Sequence, residues 1–150
     1  MKNILITGGA GFIGSSLSLQ LIKKGYLVTV LDCLHPQIHG EHPEQASPLY
    51  LSIKDKVQFI KGDVTNKADW YKALNNQQIV VHLAAETGTG QSMYEIARYT
   101  NVNVGGTSIL LDYLTNEKHQ IEKVIVASSR AVYGEGRYFS QKMQTYFYPK

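Results

Sequence analysis

Short, almost wholly apolar runs recur along this chain and alternate with stretches in which apolar residues return at helical spacing. Ile4-Leu5-Ile6, residues 26–31, 57–60, 79–85 and 124–127 read as five strands. Residues 15–24, 67–74 and 92–117 read as the helices between them. The strands are nearly all apolar and do not alternate, as expected where helices cover both faces of a sheet. The βαβα order therefore predicts an α/β fold, a Rossmann-like, doubly wound parallel sheet with right-handed crossovers. Residues 35–52 fit least well. Pro36, Pro43 and Pro48 restrict the backbone there, and the stretch is expected to be a loop.

A glycine turn joins the first strand to the first helix. In Thr7-Gly8-Gly9-Ala10-Gly11-Phe12-Ile13-Gly14 the spacing admits two registers, Gly8/Gly11/Gly14 and Gly9/Gly11/Gly14. In a dinucleotide site the first glycine permits a tight turn and the second lets backbone amides approach a pyrophosphate. The third lets helix and strand pack closely. The diphosphate meets the unpaired amides and positive end of the helix. Glycines placed only for packing would leave the same signature. Asp32 separates the two readings. It ends the second strand, 18 residues beyond Gly14, where a carboxylate accepts both ribose hydroxyls of an adenosine and repels a 2′-phosphate. Cys33, Leu34 and His35 follow it and bring no Lys or Arg, so NAD is expected over NADP.

Composition narrows the alternatives. A chain of 150 residues suits one domain. A formal net charge of +3, with scattered Lys and Arg, argues against nucleic acid or an acidic membrane as partner. The single cysteine, Cys33, rules out an internal disulfide framework and fits a reducing compartment. With no signal-like or membrane-spanning run, the cytoplasm is the expected location. His35, His39 and His42 read as solvated imidazoles on a proline-rich loop, with no metal, because no Cys or paired carboxylate completes a shell.

Further residues fall where a nucleotide would lie. Asp63, in Gly62-Asp63-Val64 after the third strand, reads equally as a turn residue or a partner of the adenine amino group. His82 reads as a packed strand residue, and Leu83-Ala84-Ala85 leaves room beside a cofactor. Asn103 stands before Gly105-Gly106-Thr107 in the long helical stretch, where propensity disfavours Asn and paired Gly. Close packing accounts for the glycines, and Asn103 is placed to hold backbone or water near a nicotinamide.

These pieces, with Ala127-Ser128-Ser129 and Val132-Tyr133-Gly134, occur in an order that resembles the extended short-chain dehydrogenase/reductase family of nucleotide-sugar epimerases and dehydratases. The resemblance covers essentially the whole chain. It implies cofactor contacts from Gly8, Gly11, Phe12, Ile13, Gly14, Asp32, Asp63, Val64, Leu83, Ala84, Ala85, Asn103 and Ser128. Ser129 takes the catalytic serine position that orients the sugar oxygen, with Ser128 the adjacent candidate. Strand-end capping is the plainer role for both. Residues 36–40, 84–95 and 128–136 most resemble bacterial dTDP-L-rhamnose 4-epimerases, which implies a dTDP-sugar as substrate. The implied reaction oxidises the sugar transiently at C4, lodges the hydride on bound NAD and returns it to the opposite face. A Tyr acting as its base needs about 4 kcal/mol of phenolate stabilisation at neutral pH, given a free value near 10.

Tyr138 and Lys142 have the Tyr-x-x-x-Lys spacing but follow Ser129 too soon to return a helix over the nicotinamide. Residues 133–149 instead resemble an inserted loop ahead of the family's catalytic helix. The expectation is an incomplete NAD-binding domain over residues 1–150, ending after the fifth strand. The Tyr/Lys segment and substrate domain would be absent, and the chain inactive by itself. Such an ending would bare a hydrophobic sheet edge for self-association or for a missing C-terminal half. It would leave Tyr138, Phe139, Tyr146, Phe147 and Tyr148 without a body to pack on. A non-catalytic NAD module, a truncated remnant and another sugar-nucleotide dehydratase or reductase are the alternatives. Residues 86–95, on the substrate side, favour descent from a sugar enzyme.

Overall fold

The computed structural model describes residues 2–134 and 136–148. Of the residues assigned to the inserted loop, Glu135 and Pro149 lie outside that set, as does Lys150. Five strands, β1 (Asn3–Thr7), β2 (Leu27–Asp32), β3 (Gln58–Lys61), β4 (Ile79–His82) and β5 (Lys123–Val126), form one sheet in the order β3-β2-β1-β4-β5. Every pair is parallel. Strand order reverses at β1, which lies between β2 and β4. A crevice therefore opens beyond the carboxyl ends of β1 and β4, where open α/β sheets take their ligands.

The helices are α1 (Phe12–Lys23), α2 (Pro36–His39), α3 (Pro43–Ala46), α4 (Pro48–Ile53), α5 (Lys67–Leu74), α6 (Thr89–Ser92), α7 (Ile96–Thr100) and α8 (Gly106–Asn116). They explain why the strands are apolar throughout. Leu5, Leu31, Ile60 and Val80 point to one face and pack with Trp70 and Leu74 of α5 and Leu110 and Tyr113 of α8. Ile4, Ile6, Val28, Val30 and Val81 point to the other and pack with Ile53 of α4 and the apolar side of α1. Each fully buried Leu or Ile contributes roughly 1.5–3 kcal/mol by leaving water. Trp70 also anchors the loop after β3, its indole N–H donating to the Val64 carbonyl at 2.6 Å.

Several sequence expectations are corrected here. Residues 35–52 are no plain loop. Pro36, Pro43 and Pro48 each start a short helix of four or six residues, where a missing N–H costs nothing. β4 stops at His82 because the next free amide, Ala84 N–H, turns to the Thr7 hydroxyl at 3.2 Å instead of a neighbouring strand. The stretch 92–117 is not one helix. A break at residues 93–95 precedes α7, and a π-helical turn at Asn101–Gly105 joins α7 to α8. Gly106 is required by packing, since a Cβ there would lie 2.9 Å from Val64 Cγ2. Finally, the aromatic segment forms an antiparallel hairpin, β6 (Tyr138–Ser140) with β7 (Thr145–Phe147). Its rings find each other, Phe139 and Tyr146 lying 4.9 Å apart, while remaining exposed to solvent. β5 presents Ile125 and Val126 to solvent at 49% and 53% exposure.

Candidate functional site

The turn after β1 resolves the two glycine registers. Gly8 adopts φ +67°, the left-handed conformation that favours glycine, and a Cβ there would lie 2.8 Å from Ala84 N. A Cβ on Gly14 would collide with the Gly8 carbonyl and lie 2.5 Å from Gly9 Cα. Gly8/Gly11/Gly14 is therefore the working register, and Gly9 is needed separately, for contact with Val30. Gly11 caps α1 without a side chain, and the first turn of that helix carries no acid. Its leading amides, with no carbonyl one turn back, face outward at the positive end of the helix.

Asp32 closes the other side. Its Oδ2 accepts the Ala10 N–H at 2.9 Å and its Oδ1 accepts the Leu34 N–H at 2.8 Å. Leu34 holds φ +56°, a strained value for a non-glycine residue, fixed by this bond and by its buried side chain. The carboxylate is 9% exposed, and one lone pair on each oxygen remains after these bonds.

Between these elements lies a cleft of about 530 Å³. Its walls bring together Gly8, Gly11, Phe12, Ile13, Gly14, Asp32, Asp63, Val64, Leu83, Ala84, Ala85 and Ser128. Asp63 holds a turn, the first of its two readings. Its Oδ1 accepts both the amide and the hydroxyl of Thr65, at 2.8 Å each, and it still lines the cleft. Asn103 acts one layer back: Oδ1 accepts the Glu86 N–H at 2.8 Å, and Nδ2 donates to the Glu86 carbonyl at 3.2 Å. It holds backbone, as one of its two readings had it. The two serines separate. Ser128 lines the cleft, whereas Ser129 Oγ accepts the Ala131 N–H at 3.1 Å and caps the 3₁₀ turn Arg130–Tyr133. Tyr138 sits on β6 and Lys142 in the following turn, so no helix face joins them.

His82 links β1 to α8 through two hydroxyls. Thr107 donates its hydroxyl proton to the Asn103 carbonyl at 2.8 Å, so its oxygen is free to accept His82 Nε2–H at 3.1 Å. Nδ1 then accepts the Thr7 hydroxyl at 2.6 Å, and Thr7 Oγ1 takes the Ala84 amide. This order needs a neutral ring, and burial pushes the His82 imidazole below its ordinary value. Burial, followed by Asp32 and Asp63, likewise raises the Cys33 thiol, keeping this cleft-lining group protonated.

Sequence reading missed the rim. Arg98 donates to Glu86 Oε1 through Nε and Nη2, at 3.1 and 2.8 Å, and to Glu95 Oε2 at 2.7 Å. Its Nη2 also reaches His35 Nε2 at 3.1 Å. Gln37 Nε2 donates to Gln91 Oε1 at 2.7 Å. These bonds tie the loop after β2 to the loop after β4 at the cleft mouth. Only the Glu95/Arg98 spacing was visible locally. His39 is also corrected. It is 7% exposed, not solvated, and lines the cleft with its Nε2 3.8 Å from Asp32 Oδ1.

Among the described residues, no helix is long and apolar enough to cross a membrane. Comparison with known proteins places this geometry. A dTDP-L-rhamnose 4-epimerase of Burkholderia thailandensis is 43% identical over 137 residues, which is 90% of this chain and 36% of that protein. A bifunctional UDP-glucose 4-epimerase and UDP-xylose 4-epimerase of Arabidopsis thaliana is 35% identical over 89% of this chain and 38% of its own length. The structure of UDP-glucose 4-epimerase from Bifidobacterium longum in complex with NAD+ and UDP superposes with a TM-score of 0.70 at 31% identity, over 89% of this chain and 38% of that one. The chain thus spans well under half the length of these relatives. The NAD dependent epimerase/dehydratase profile matches residues 4–150, nearly all of the chain, and to that family the chain belongs.

Proposed function

We propose that this chain is the NAD-binding part of a nucleotide-sugar 4-epimerase that interconverts dTDP-L-rhamnose and dTDP-6-deoxy-L-talose. The observation that carries the cofactor half is the pairing, across one cleft, of a capless helix start at Gly11 with the Asp32 carboxylate. Those residues fit an adenine dinucleotide. The glycine turn leaves the volume that a Cβ would fill, and Asp32 keeps acceptors for ribose hydroxyls. When bound, NAD supplies a reversible hydride acceptor for C4 of the sugar. The chain's own residues do the rest. The first-turn amides of α1 hold diphosphate, Asp32 selects the unphosphorylated ribose, and Val64 and Leu83 exclude water. Asn103 fixes the Glu86 backbone at the sugar side.

Ser129 orients the C4 oxygen, for which its hydroxyl exchanges the Ala131 amide for substrate. Ser128, already on the cleft wall, is the alternative. The 43% identity to the Burkholderia enzyme supports the choice of sugar. The 150 residues alone bind NAD without turnover, because Tyr138 and Lys142 share no helix. The bare β5 edge supports self-association, read by light scattering as mass rising with concentration.

A chimera tests the reading. With residues 1–150 in place of the matching segment of the Burkholderia enzyme, epimerisation of dTDP-L-rhamnose is expected, and Ser129→Ala lowers kcat about 100-fold. A chimera that folds and binds NAD yet leaves dTDP-L-rhamnose unchanged refutes the sugar assignment.

A further inference from the structure

Asp32 is held by more than the two amides beside it. The Nε2 of His39 stands 3.8 Å from Asp32 Oδ1, and its Nδ1 lies 2.8 Å from Ser47 Oγ. Hydrogen-bond bookkeeping fixes the orientation of this ring. Ser47 is 2% exposed, and its Oγ accepts the Tyr50 N–H at 3.4 Å as the N-cap of α4. The hydroxyl proton goes to His39 Nδ1. Were the bond reversed, a buried hydroxyl proton would lose its acceptor, at about 1–3 kcal/mol, and a bare nitrogen lone pair would face the carboxylate. In the neutral ring the proton is therefore on Nε2. That N–H faces Asp32 from the cleft wall, on the oxygen that also accepts Leu34 N–H.

We propose that His39, oriented by Ser47, is a positioning residue that fixes the Asp32 carboxylate for an adenosine ribose and so sharpens the preference for a dinucleotide lacking a 2′-phosphate. The inference rests on the cleft being a dinucleotide site. At 3.8 Å the contact is longer than a hydrogen bond and acts on carboxylate rotation. Without it, Asp32 still has one amide on each oxygen but loses the third group that narrows its small rotations about Cβ–Cγ. A 2′-phosphate is repelled by the charge of Asp32, which small rotations hardly move, so NADP affinity changes little.

Titration of the purified chain with NAD and with NADP, by calorimetry, tests this. His39→Leu weakens NAD about tenfold and leaves NADP unchanged. His39→Gln, which keeps a donor, restores most of the loss, and Ser47→Ala shifts NAD in the same direction by less. In an Asp32→Asn background, His39→Leu has no further effect on NAD, as a residue acting through Asp32 requires. Equal losses for NAD and NADP, or an undiminished effect in that background, mean a merely structural histidine and overturn the proposal. If His39→Leu fails to fold, the Gln and Ala variants carry the same comparison. A wild-type chain that binds neither nucleotide overturns the dinucleotide reading itself, and this inference with it.

Discussion

Replacing Asp32 by Asn removes one negative charge while keeping the side chain's size, and the surrounding bonds set the expected cost. The Asn oxygen can still accept the Leu34 N–H, but its NH2 then faces the Ala10 N–H, which Oδ2 now satisfies at 2.9 Å. One buried amide is left without an acceptor, for about 1–3 kcal/mol of stability. Loss of charge-assisted bonds to a ribose weakens NAD by roughly 1.5–3 kcal/mol, or about 10- to 100-fold. For NADP the sign reverses. A phosphate charge about 4 Å from the carboxylate feels roughly 1–4 kcal/mol of repulsion, between bulk water and an effective dielectric of 20. The variant relieves that repulsion, so NADP tightens while NAD weakens. Calorimetric titration with both nucleotides, after a thermal melt confirms folding, reads the ratio directly. If the folded variant keeps the wild-type ratio, Asp32 does not face the ribose and the reasoning fails.

Other perturbations probe separate parts of the site. Gly14→Ala drives a Cβ into the Gly8 carbonyl and Gly9 Cα, backbone atoms that cannot yield singly, and should cost about 3 kcal/mol or more in a denaturant melt. His82 makes stability depend on pH with a definite sign. Its folded value lies below the unfolded 6.5, so its contribution is complete above that pH and shrinks as the pH falls below it. His82→Gln should flatten the fall in denaturation midpoint between about pH 7.5 and 5. Arg98→Ala removes a solvent-screened clasp that adds little to global stability, yet it should speed proteolysis within residues 83–95 several-fold.

What the sequence made legible has a physical boundary. Strands and the glycine turn were readable because their determinants are local: apolar runs covered on both faces, and backbone that only glycine accommodates. Strand ends moved by a residue or more, because β4 is terminated by Thr7, a side chain 77 positions away from Ala84. Pro36, Pro43 and Pro48 looked like breakers and proved to be helix starts. Proline is compatible with both, and helices this short leave too little periodicity to detect. Twelve of the expected cofactor residues share one cleft, and Asn103 stands just behind it, gripping Glu86. The Arg98–His35 contact and the burial of His39 depend on loops meeting in space, and no spacing in the chain encodes them.

The central claim is that the cleft at the carboxyl ends of β1 and β4 binds an adenine dinucleotide. Titrating the ¹⁵N-labelled chain with NAD and following its amide resonances tests this most directly. The account predicts saturable shifts at residues 8–14, at Leu34 beside Asp32 and at Ala84 and Ala85. Shifts confined to the opposite end of the strands, around Tyr26 and Gln77, or none at saturating NAD, would contradict it.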